Sequence, residues 1–516
     1  MTKRPAIVIA VLGLGYSALR LWRLTEPCLW FDEIFGIHAT THAWGDLIPF
    51  VAKDLIHPPL FYLLLKLWIG IGGESVLWLR LFPVLFAIAS LFPLLMLCRE
   101  LKLRSTTIVV AFGLFAVNGA LIKYAQEVRM YSLLLLLSLL STWLFSRFYF
   151  RGKSFWLLVL VNVLLVYSHY FGWFVVATEV AAILLTQRIK ILQTLLMFVV
   201  VAAAFVPWVF AVFRFAEPGS GVKENIGWML RPGFRELLEF GFDLVDPFYF
   251  QQSSVDKTAN FIIAIPIAAI LVTALTLFVT RFRNEANKDR ILFLCLFFGT
   301  PLLMAFSFSW LLPVSIWGSR HLLIVFAPAI LLIAITLSDI PQKWVRRGLI
   351  AAIGVLSTAA LIQQFTRPQQ QQIWCAWEPL AVEWVLASQP SAETPTVYVF
   401  EDLVAYHYWF ATRNLPARKI VLVKGLEGIP NDPAYFLPRG FDEIRTSSFN
   451  EVTGDEIWLS FRQLSRKQAI GEHERSTREF EVPVTYFENI GYSVEDVRRH
   501  IYGSQTAFLV RMSKRQ

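Results

Sequence analysis

Apolar segments of membrane-spanning length recur through the first two-thirds of the chain. They occupy roughly residues 5–24, 77–98, 106–123, 131–148, 190–212, 259–280, 291–311, 320–338 and 345–363. Each is close to the ~20 residues that an α-helix needs to cross the bilayer core. Residues 154–187 are too long for one span and short for two. Because basic residues flank both ends, we predict two short helices turning at residues 169–172. The pattern predicts a mainly α, polytopic membrane protein with about 11 transmembrane helices.

Basic residues fall in the predicted loops of one side. With a cytoplasmic N-terminus, the clusters at residues 99–104, 147–153, 188–190, 281–290 and 343–347 all lie inside, as the positive-inside rule requires. External loops then follow at about 25–76 and 213–258, and the C-terminus lies outside. Lys3 and Arg4 precede the first apolar run without a cleavage site before Arg20, which favours a retained first helix in a cell inner membrane.

The chain becomes polar after a linker at residues 367–372. Strand-like segments occur at Thr396–Phe400, Lys419–Lys424, Glu456–Ser460 and Thr506–Val510, and helical periodicity occurs around 401–412 and 493–500. We therefore expect a membrane domain at residues 1–365 and a small extracytoplasmic α/β domain at residues 366–516.

The composition excludes an ordinary soluble enzyme. Hydrophobic residues make up 56% of the 516 residues, more than a water-exposed surface allows. The net charge of +9 comes from small clusters between apolar runs, which is typical of membrane loops, so we expect no nucleic-acid partner. The four cysteines are scattered without a CxxC pair or metal-ligand spacing, and they imply neither a disulfide framework nor a zinc site.

Two adjacent carboxylates, Asp32 and Glu33, lie in the first external loop just after the first span. The apolar run Pro59–Ile71 that follows has interfacial length and is interrupted by Lys66. An interfacial helix would hold the carboxylates where a lipid-linked donor and a polar acceptor meet. The alternative is that Asp32 only caps a surface helix and Glu33 solvates its first turn.

Three cationic candidates lie at other external positions. His57 opens the interfacial run ahead of two prolines, and Arg129 follows Glu127 at the external end of the third and fourth spans. Arg320 precedes a later span and is placed to pair with a phosphate. A structural histidine, a local ion pair and snorkelling arginines are the alternative interpretation.

His169 and Tyr170, at the turn of the short helix pair, and His321, beside Arg320, also face outside in this topology. Together with Glu127 they are the candidates for contact with the substrate.

The ordered set of motifs resembles a known superfamily. It consists of Trp30-Phe31-Asp32-Glu33, His57-Pro58-Pro59-Leu60-Phe61-Tyr62, Leu79-Arg80-Leu81-Phe82-Pro83, Gln126-Glu127-Val128-Arg129-Met130-Tyr131, Ser168-His169-Tyr170 and Arg320-His321. In this order the motifs resemble the protein O-mannosyltransferase and aminoarabinose-transferase superfamily, whose members have the GT-C fold. The resemblance covers about residues 1–340 and is strongest in the first 175.

The resemblance implies an inverting glycosyltransferase. Its donor would be a mannose-like hexose or an aminosugar on polyprenyl phosphate, and its acceptor a hydroxyl of a lipid, a glycan or a protein on the extracytoplasmic face. Asp32, with Glu33 beside it, would be the catalytic base, and His57, Arg129 and Arg320 would contact the donor phosphate. Some members of the superfamily carry a lysine where His57 stands, which would supply a permanent charge.

Metal dependence and other function classes stay open at this point. A divalent metal held by Asp32, Glu33, Glu127 or His57 is one alternative. A transporter or flippase of lipid-linked sugars would show internal repeats and midplane charges. A polysaccharide polymerase or ligase would carry its large loop late in the chain, and a receptor would leave the carboxylates of the first loop unexplained.

Overall fold

The structure, a computed structural model, describes residues 3–186, 188–216, 226–227, 229–246, 265–273, 275–276, 288–366, 373–388, 396–415, 419–424, 444–464, 482–502 and 505–515. The chain divides into two compact units. Residues 26–38 belong to the second unit together with the C-terminal part of the chain after residue 368, and the first unit holds the remaining helices. The predicted linker at 367–372 lies outside the described residues.

Sixteen helices are described up to residue 366. They are α1 (Lys3–Leu21), α2 (Phe31–Thr41), α3 (Trp44–Lys53), α4 (Leu60–Gly72), α5 (Val76–Ala89), α6 (Leu91–Glu100), α7 (Ser105–Val117), α8 (Gly119–Ala125), α9 (Tyr131–Arg151), α10 (Phe155–Ser168), α11 (Gly172–Thr186), α12 (Ile191–Phe215), α13 (Phe234–Asp243), α14 (Lys288–Leu311), α15 (Phe326–Ser338) and α16 (Lys343–Thr366). Of the span predicted at 259–280, the structure describes residues 265–273 and 275–276, which are helical.

The helices have the length and composition of a multi-pass membrane protein. Among the described residues, five stretches are long and apolar enough to cross a bilayer, and these are Val76–Glu100, Tyr131–Arg151, Ile191–Phe215, Lys288–Leu311 and Lys343–Gln363. Shorter apolar helices cover most of the spans predicted at 5–24, 106–123 and 320–338. Within residues 154–187, Phe155–Ser168 form α10 and Gly172–Thr186 form α11, which confirms the predicted pair of short helices. The turn between them is tight, because a Cβ on Gly172 would lie 2.7 Å from the carbonyl oxygen of Leu165.

Ion pairs and hydrogen bonds join several of the basic loops. Arg151 pairs with Glu100 at 2.5 Å, which joins the C-terminal ends of α9 and α6. Arg104 pairs with Asp339 at 3.1 Å, which joins the loop after α6 to the loop after α15. Lys190 donates to the carbonyl oxygens of the last turn of α9. Of the clusters that the positive-inside rule grouped together, those at 99–104, 147–153 and 188–190 are therefore linked by direct contacts.

Three short helices, α2, α3 and α4, lie within the loop predicted at about 25–76. The apolar run predicted at Pro59–Ile71 is α4. Its one cation, Lys66, donates to the carbonyl oxygens of Thr40 (2.7 Å) and His42 (2.6 Å) at the C-terminal end of α2, where the helix dipole is negative. The loop is therefore fixed by specific polar contacts, and Lys66 serves the fold there.

The second unit contains a mixed six-stranded sheet. Its helices are α17 (Trp377–Ser388), α18 (Asp402–Thr412) and α19 (Val482–Asn489), and its strands are β1 (Thr396–Val399), β2 (Lys419–Lys424), β3 (Arg445–Ser448), β4 (Glu456–Leu464), β5 (Tyr492–Tyr502) and β6 (Gln505–Lys514). The strand order is β3-β2-β1-β4-β6-β5, with parallel pairing from β3 to β4 and antiparallel pairing beyond. The predicted α/β class is confirmed.

One predicted element of this unit is wrong. Residues 493–500, predicted to be helical, lie in strand β5. Val494, Val497 and Ile501 have helical spacing, yet all three are exposed on an edge strand. The strand forms because its backbone pairs with β6 along nearly its whole length, and such tertiary pairing overrides a local pattern.

Candidate active site

Asp54, His57 and Arg129 form a buried polar triad, in which Asp54 directly follows α3, His57 precedes α4 and Arg129 precedes α9. His57 Nδ1 lies 2.9 Å from Asp54 Oδ2, and His57 Nε2 lies 3.2 Å from Arg129 Nη2. Arg129 Nη1 lies 3.4 Å from the Tyr62 hydroxyl. Asp54, His57 and Arg129 are each at least nine-tenths buried. The predicted candidates His57 and Arg129 are therefore in direct contact.

His57 joins a carboxylate to a guanidinium. A carboxylate accepts hydrogen bonds, so Nδ1–H of His57 donates to Asp54. Arg129 Nη2 lies 3.2 Å from Nε2 and 3.5 Å from Nδ1, so the guanidinium contacts both nitrogens of the ring. His57 in this arrangement links Asp54 to Arg129.

A strained residue makes the Asp54–His57 contact. Leu55, between the two, has φ of 63°, a left-handed conformation that is rare for a residue with a branched side chain. The resulting turn brings two side chains three positions apart together. Non-glycine residues in this region cost about 1–3 kcal/mol and cluster at functional sites.

Three histidines from distant parts of the chain, His57, His169 and His321, form a row that begins at the triad. The rings of His57 and His169 have centroids 6.0 Å apart, and those of His169 and His321 have centroids 5.2 Å apart. His169 Nδ1 accepts from the Phe171 backbone N–H at 3.1 Å, so its proton is on Nε2. That Nε2 is buried and has no hydrogen-bond partner in the described part of the chain. A buried donor without a partner is costly and indicates a ligand or water.

The row of histidines lies in the positive field of two arginines. Burial lowers the pKa of His169 well below its usual value, and His321, His57, Arg129 and Arg320 lower it further. Burial also lowers the pKa of His321, with Arg320 as the next cause. Arg320, which directly precedes His321 in the chain, thus acts on both histidines. The cluster combines two permanent cations with N–H donors, which is the chemistry of an anion site.

Two further predicted residues lie beside the row. Tyr170 accepts from the Trp208 indole N–H at 3.1 Å, and burial raises its pKa to about 12, with Asp54 acting in the same direction. Glu127 is buried and, together with Asp243, raises the pKa of Tyr124 beyond the effect of burial. Arg320 lowers that pKa, so these charged groups share one neighbourhood.

A polar cavity of about 250 Å³ opens next to Arg320. Its polar lining residues are Lys123, Tyr124, Glu236, Glu239, Asp243 and Ser319. Ser319 donates a short hydrogen bond to Asp243, which ties the loop before Arg320 to α13. Burial raises the pKa of nearby Asp246 to about 8, with Asp243 adding to the effect.

The two carboxylates of the first loop lie in the second unit and differ in environment. Both are in the first turn of α2. Glu33 is fully buried, and its Oε2 accepts from the Trp30 backbone N–H at 3.1 Å, an N-terminal capping contact. Asp32 is partly exposed. The side chain of Glu33 is therefore not exposed to water at the start of α2, whereas that of Asp32 is accessible to solvent.

Sequence reasoning missed Asp54, Tyr62 and the bond between Cys28 and Cys375. The spacing of Asp54 three residues before His57 was a usable signal, and Tyr62 belongs to the motif that begins at His57. Cys28 and Cys375 form a disulfide with Cα atoms 5.2 Å apart, although their spacing implied no disulfide framework. Among the residues that the structure describes, no group of three or more His, Cys, Asp and Glu side chains is arranged for a metal.

Comparisons with known proteins identify the fold. No protein-family model matches the sequence, and no curated protein matches it either. Among solved structures, ArnT from Cupriavidus metallidurans bound to undecaprenyl phosphate matches with a TM-score of 0.56 and 10% identity, over 99% of this chain and 98% of that chain. Its apo state matches with a TM-score of 0.54 and 12% identity, over 98% and 97% of the two chains. The chain therefore has the GT-C fold that the motif order implied.

Proposed function

We propose that this membrane protein is a glycosyltransferase that moves a sugar from a polyprenyl-phosphate donor to an acceptor hydroxyl on the extracytoplasmic face. The observation that carries the proposal is the buried Nε2–H of His169 beside Arg129 and Arg320, which has no hydrogen-bond partner among the residues that the structure describes. Two guanidinium groups and an orphan N–H donor match the needs of a phosphate. The likeness to a protein bound to undecaprenyl phosphate adds support from the fold.

Each part of the proposed site has a chemical task. The acceptor hydroxyl attacks the anomeric carbon while the bond from that carbon to the phosphate oxygen breaks, so the configuration inverts. Asp32 takes the proton of the hydroxyl as general base. Arg129, oriented by His57, and Arg320 stabilise the negative charge that grows on the departing phosphate. No nucleotide enters this scheme.

The polar cavity is the proposed place for sugar hydroxyls. Its carboxylates and Lys123 offer acceptors and a donor for several hydroxyl groups, and the cavity adjoins Arg320 through Ser319. In this scheme, Glu127, Tyr170 and His321 complete the substrate contacts around the phosphate.

The disulfide supports the proposed orientation. Such bonds persist in oxidising compartments and are rare in the cytosol. Cys28 follows the first helix and Cys375 follows α16, so one bond argues that both segments lie outside. The bond therefore supports an inner-membrane orientation in which the C-terminal domain lies on the extracytoplasmic side.

The proposal is tested by measuring the transfer of a radiolabelled sugar from the lipid donor to acceptors in the membrane. Membranes with matched levels of wild type, Asp32→Asn or Asp46→Asn are supplied with radiolabelled undecaprenyl-phosphate sugars. Asp46 is the control, since it is an exposed acid in the first turn of α3, in the same loop. We expect wild type and the control to transfer label and Asp32→Asn to lose at least about 100-fold, the range of general-base catalysis.

Two outcomes contradict parts of the proposal. Equal transfer by Asp32→Asn and wild type removes Asp32 as the base. Absence of transfer by folded wild type with every donor, while labelled lipid still crosses the membrane, favours a flippase.

A further inference from the structure

The stretch from Cys28 to His38, here called the acidic segment, carries Asp32 and Glu33. It is tied to the C-terminal part of the second unit at both of its ends. Cys28, Cys375, His38 and Tyr406 form these ties and have no part in the proposed mechanism. Their contacts suggest a role for the C-terminal domain in the reaction.

The first tie is covalent. Cys28 is bonded to Cys375, which is 347 positions away in sequence. Cys375 lies in a short 3₁₀ turn, Ile373–Ala376, directly before α17. Trp377 and Trp384 of α17 are fully buried, so the partner side of the bond is part of a packed core. The bond therefore fixes the start of the acidic segment to a rigid support.

The second tie is a hydrogen bond reinforced by aromatic packing. The Tyr406 hydroxyl of α18 lies 2.8 Å from His38 Nδ1. The ring of Trp409, one turn further along α18, meets the His38 ring edge-on at 4.7 Å. At the other end of the segment, the Phe31 ring packs against Tyr406 at 5.5 Å. Tyr406 is fully buried and thus contacts the residues on both sides of the two carboxylates.

Between these ties the segment has little freedom. Glu33 is buried and bonded to the backbone of Trp30, so the first turn of α2 is locked. Asp32 stands on that turn. A general base acts only when its carboxylate is held in reach of the proton it removes, and misplacement of about 1 Å can cost ~100-fold in rate.

We infer that the C-terminal domain is a positioning scaffold for Asp32, with Tyr406 and the Cys28–Cys375 bond as its positioning elements. This inference rests on the proposed function. It gives the soluble domain a part in catalysis without any contact between that domain and the reacting atoms. Formation of the disulfide is then a condition for full activity.

Steady-state transfer by the full-length protein in nanodiscs tests the inference. Tyr406→Phe keeps the ring and removes the hydroxyl, and Cys28→Ser/Cys375→Ser removes the covalent tie. We expect each to lower kcat about 10- to 100-fold while the KM for donor and the binding of undecaprenyl phosphate stay at wild-type values. Tyr408→Phe is the matched control, because it removes a buried hydroxyl from the same helix on a ring that packs on Trp377 and Trp384.

A conservative replacement separates positioning from general stability. His38→Asn keeps a polar group near the place of Nδ1 and should retain activity, whereas His38→Ala should behave like Tyr406→Phe. Wild-type kcat in both Tyr406→Phe and the double serine variant overturns the inference. So does a parallel loss of kcat and of undecaprenyl-phosphate binding, which indicates general unfolding.

Hydrogen exchange tests the ties without turnover. Backbone amides of residues 28–38 should exchange at least about tenfold faster in Tyr406→Phe and in reduced protein than in Tyr408→Phe. Unchanged exchange in both contradicts the scaffold even if transfer is never detected. Faster exchange with an inactive wild type instead keeps the scaffold and places the failure in the proposed reaction.

Discussion

Nε2 of His57 lies 3.2 Å from Nη2 of Arg129, and Nδ1 of the same ring lies 2.9 Å from Oδ2 of Asp54. One imidazole therefore joins a carboxylate to a guanidinium, and all three side chains are buried. A lysine in place of His57 would instead bring a second permanent cation next to Arg129.

Arg129→Lys should weaken the binding of undecaprenyl phosphate about 10- to 100-fold, because a lysine offers a point charge where the guanidinium offers a fork of donors. Binding is measured by competition with a labelled lipid phosphate in detergent. Arg104→Lys is the control, since Arg104 pairs with Asp339 among the basic loops. Equal affinities of the two variants would remove Arg129 from the phosphate site.

Glu33→Ala should lower the melting temperature, whereas Asp32→Asn should leave it near wild type. Glu33 is buried and caps the start of α2 through Trp30, and loss of a cap costs about 0.5–2 kcal/mol. Asp32 is partly exposed on the same turn. Thermal unfolding followed by tryptophan fluorescence gives both values. A larger loss in Asp32→Asn than in Glu33→Ala would reverse the roles assigned to the two carboxylates.

Leu55→Gly should be tolerated, and Leu55→Val should lower stability by about 1 kcal/mol or more. Leu55 has φ of 63°, which glycine adopts freely and a β-branched residue resists. The valine variant should also bind undecaprenyl phosphate less tightly, because the Asp54–His57 contact depends on this turn. Identical stability and binding in the two variants would show that the turn carries no strain.

The stability that His169 and His321 contribute should fall as the pH is lowered below about 6.5. Burial holds the pKa of both side chains below 6.5, so under mildly acidic conditions these two histidines bind more protons in the unfolded chain than in the folded one. Asp246, whose pKa burial raises to about 8, acts in the opposite direction. The contribution of the two histidines is complete above pH ~6.5 and is lost as the pH falls toward their lowered pKa values. His407, whose pKa burial lowers to about 3, adds a slope of the same sign.

Melting temperatures between pH 7 and pH 5 measure this effect, with His169→Gln/His321→Gln as the comparison. Between pH 7 and pH 5, the melting temperature of the double variant should fall less, or rise more, than that of wild type, while the contributions of His407 and Asp246 remain. The same slope in both proteins would mean that the two histidines gain no protons on unfolding.

The membrane architecture was predictable because it depends on the length of the apolar segments and on the positions of the positive charges between them. A bilayer demands about 20 apolar residues per span, and the pattern met that demand at α9, α12, α14 and α16. The short pair α10 and α11 followed from its basic flanks. The phosphate-contact candidates His57 and Arg129 and the substrate-contact candidates His169 and His321 were named from sequence, and the structure brings them together.

Other features depend on contacts that no local pattern encodes. Strand β5 forms because its backbone pairs with β6, although the spacing of its exposed valines is that of a helix. The contact between Asp54 and His57 depends on one backbone angle at Leu55. The grouping of residues 26–38 with the C-terminal part of the chain depends on pairings across more than 300 positions, such as that of Cys28 with Cys375.

The separation of 347 positions between Cys28 and Cys375 also sets an order of events during biogenesis. Cys28 leaves the ribosome early, but its partner is made only after α16, the last helix before the C-terminal region. Every intervening helix must be made before the two thiols can meet. A chain that ends before Cys375 would hold its acidic segment without this bond, so under the proposed function full competence for transfer would arise only once Cys375 has been made.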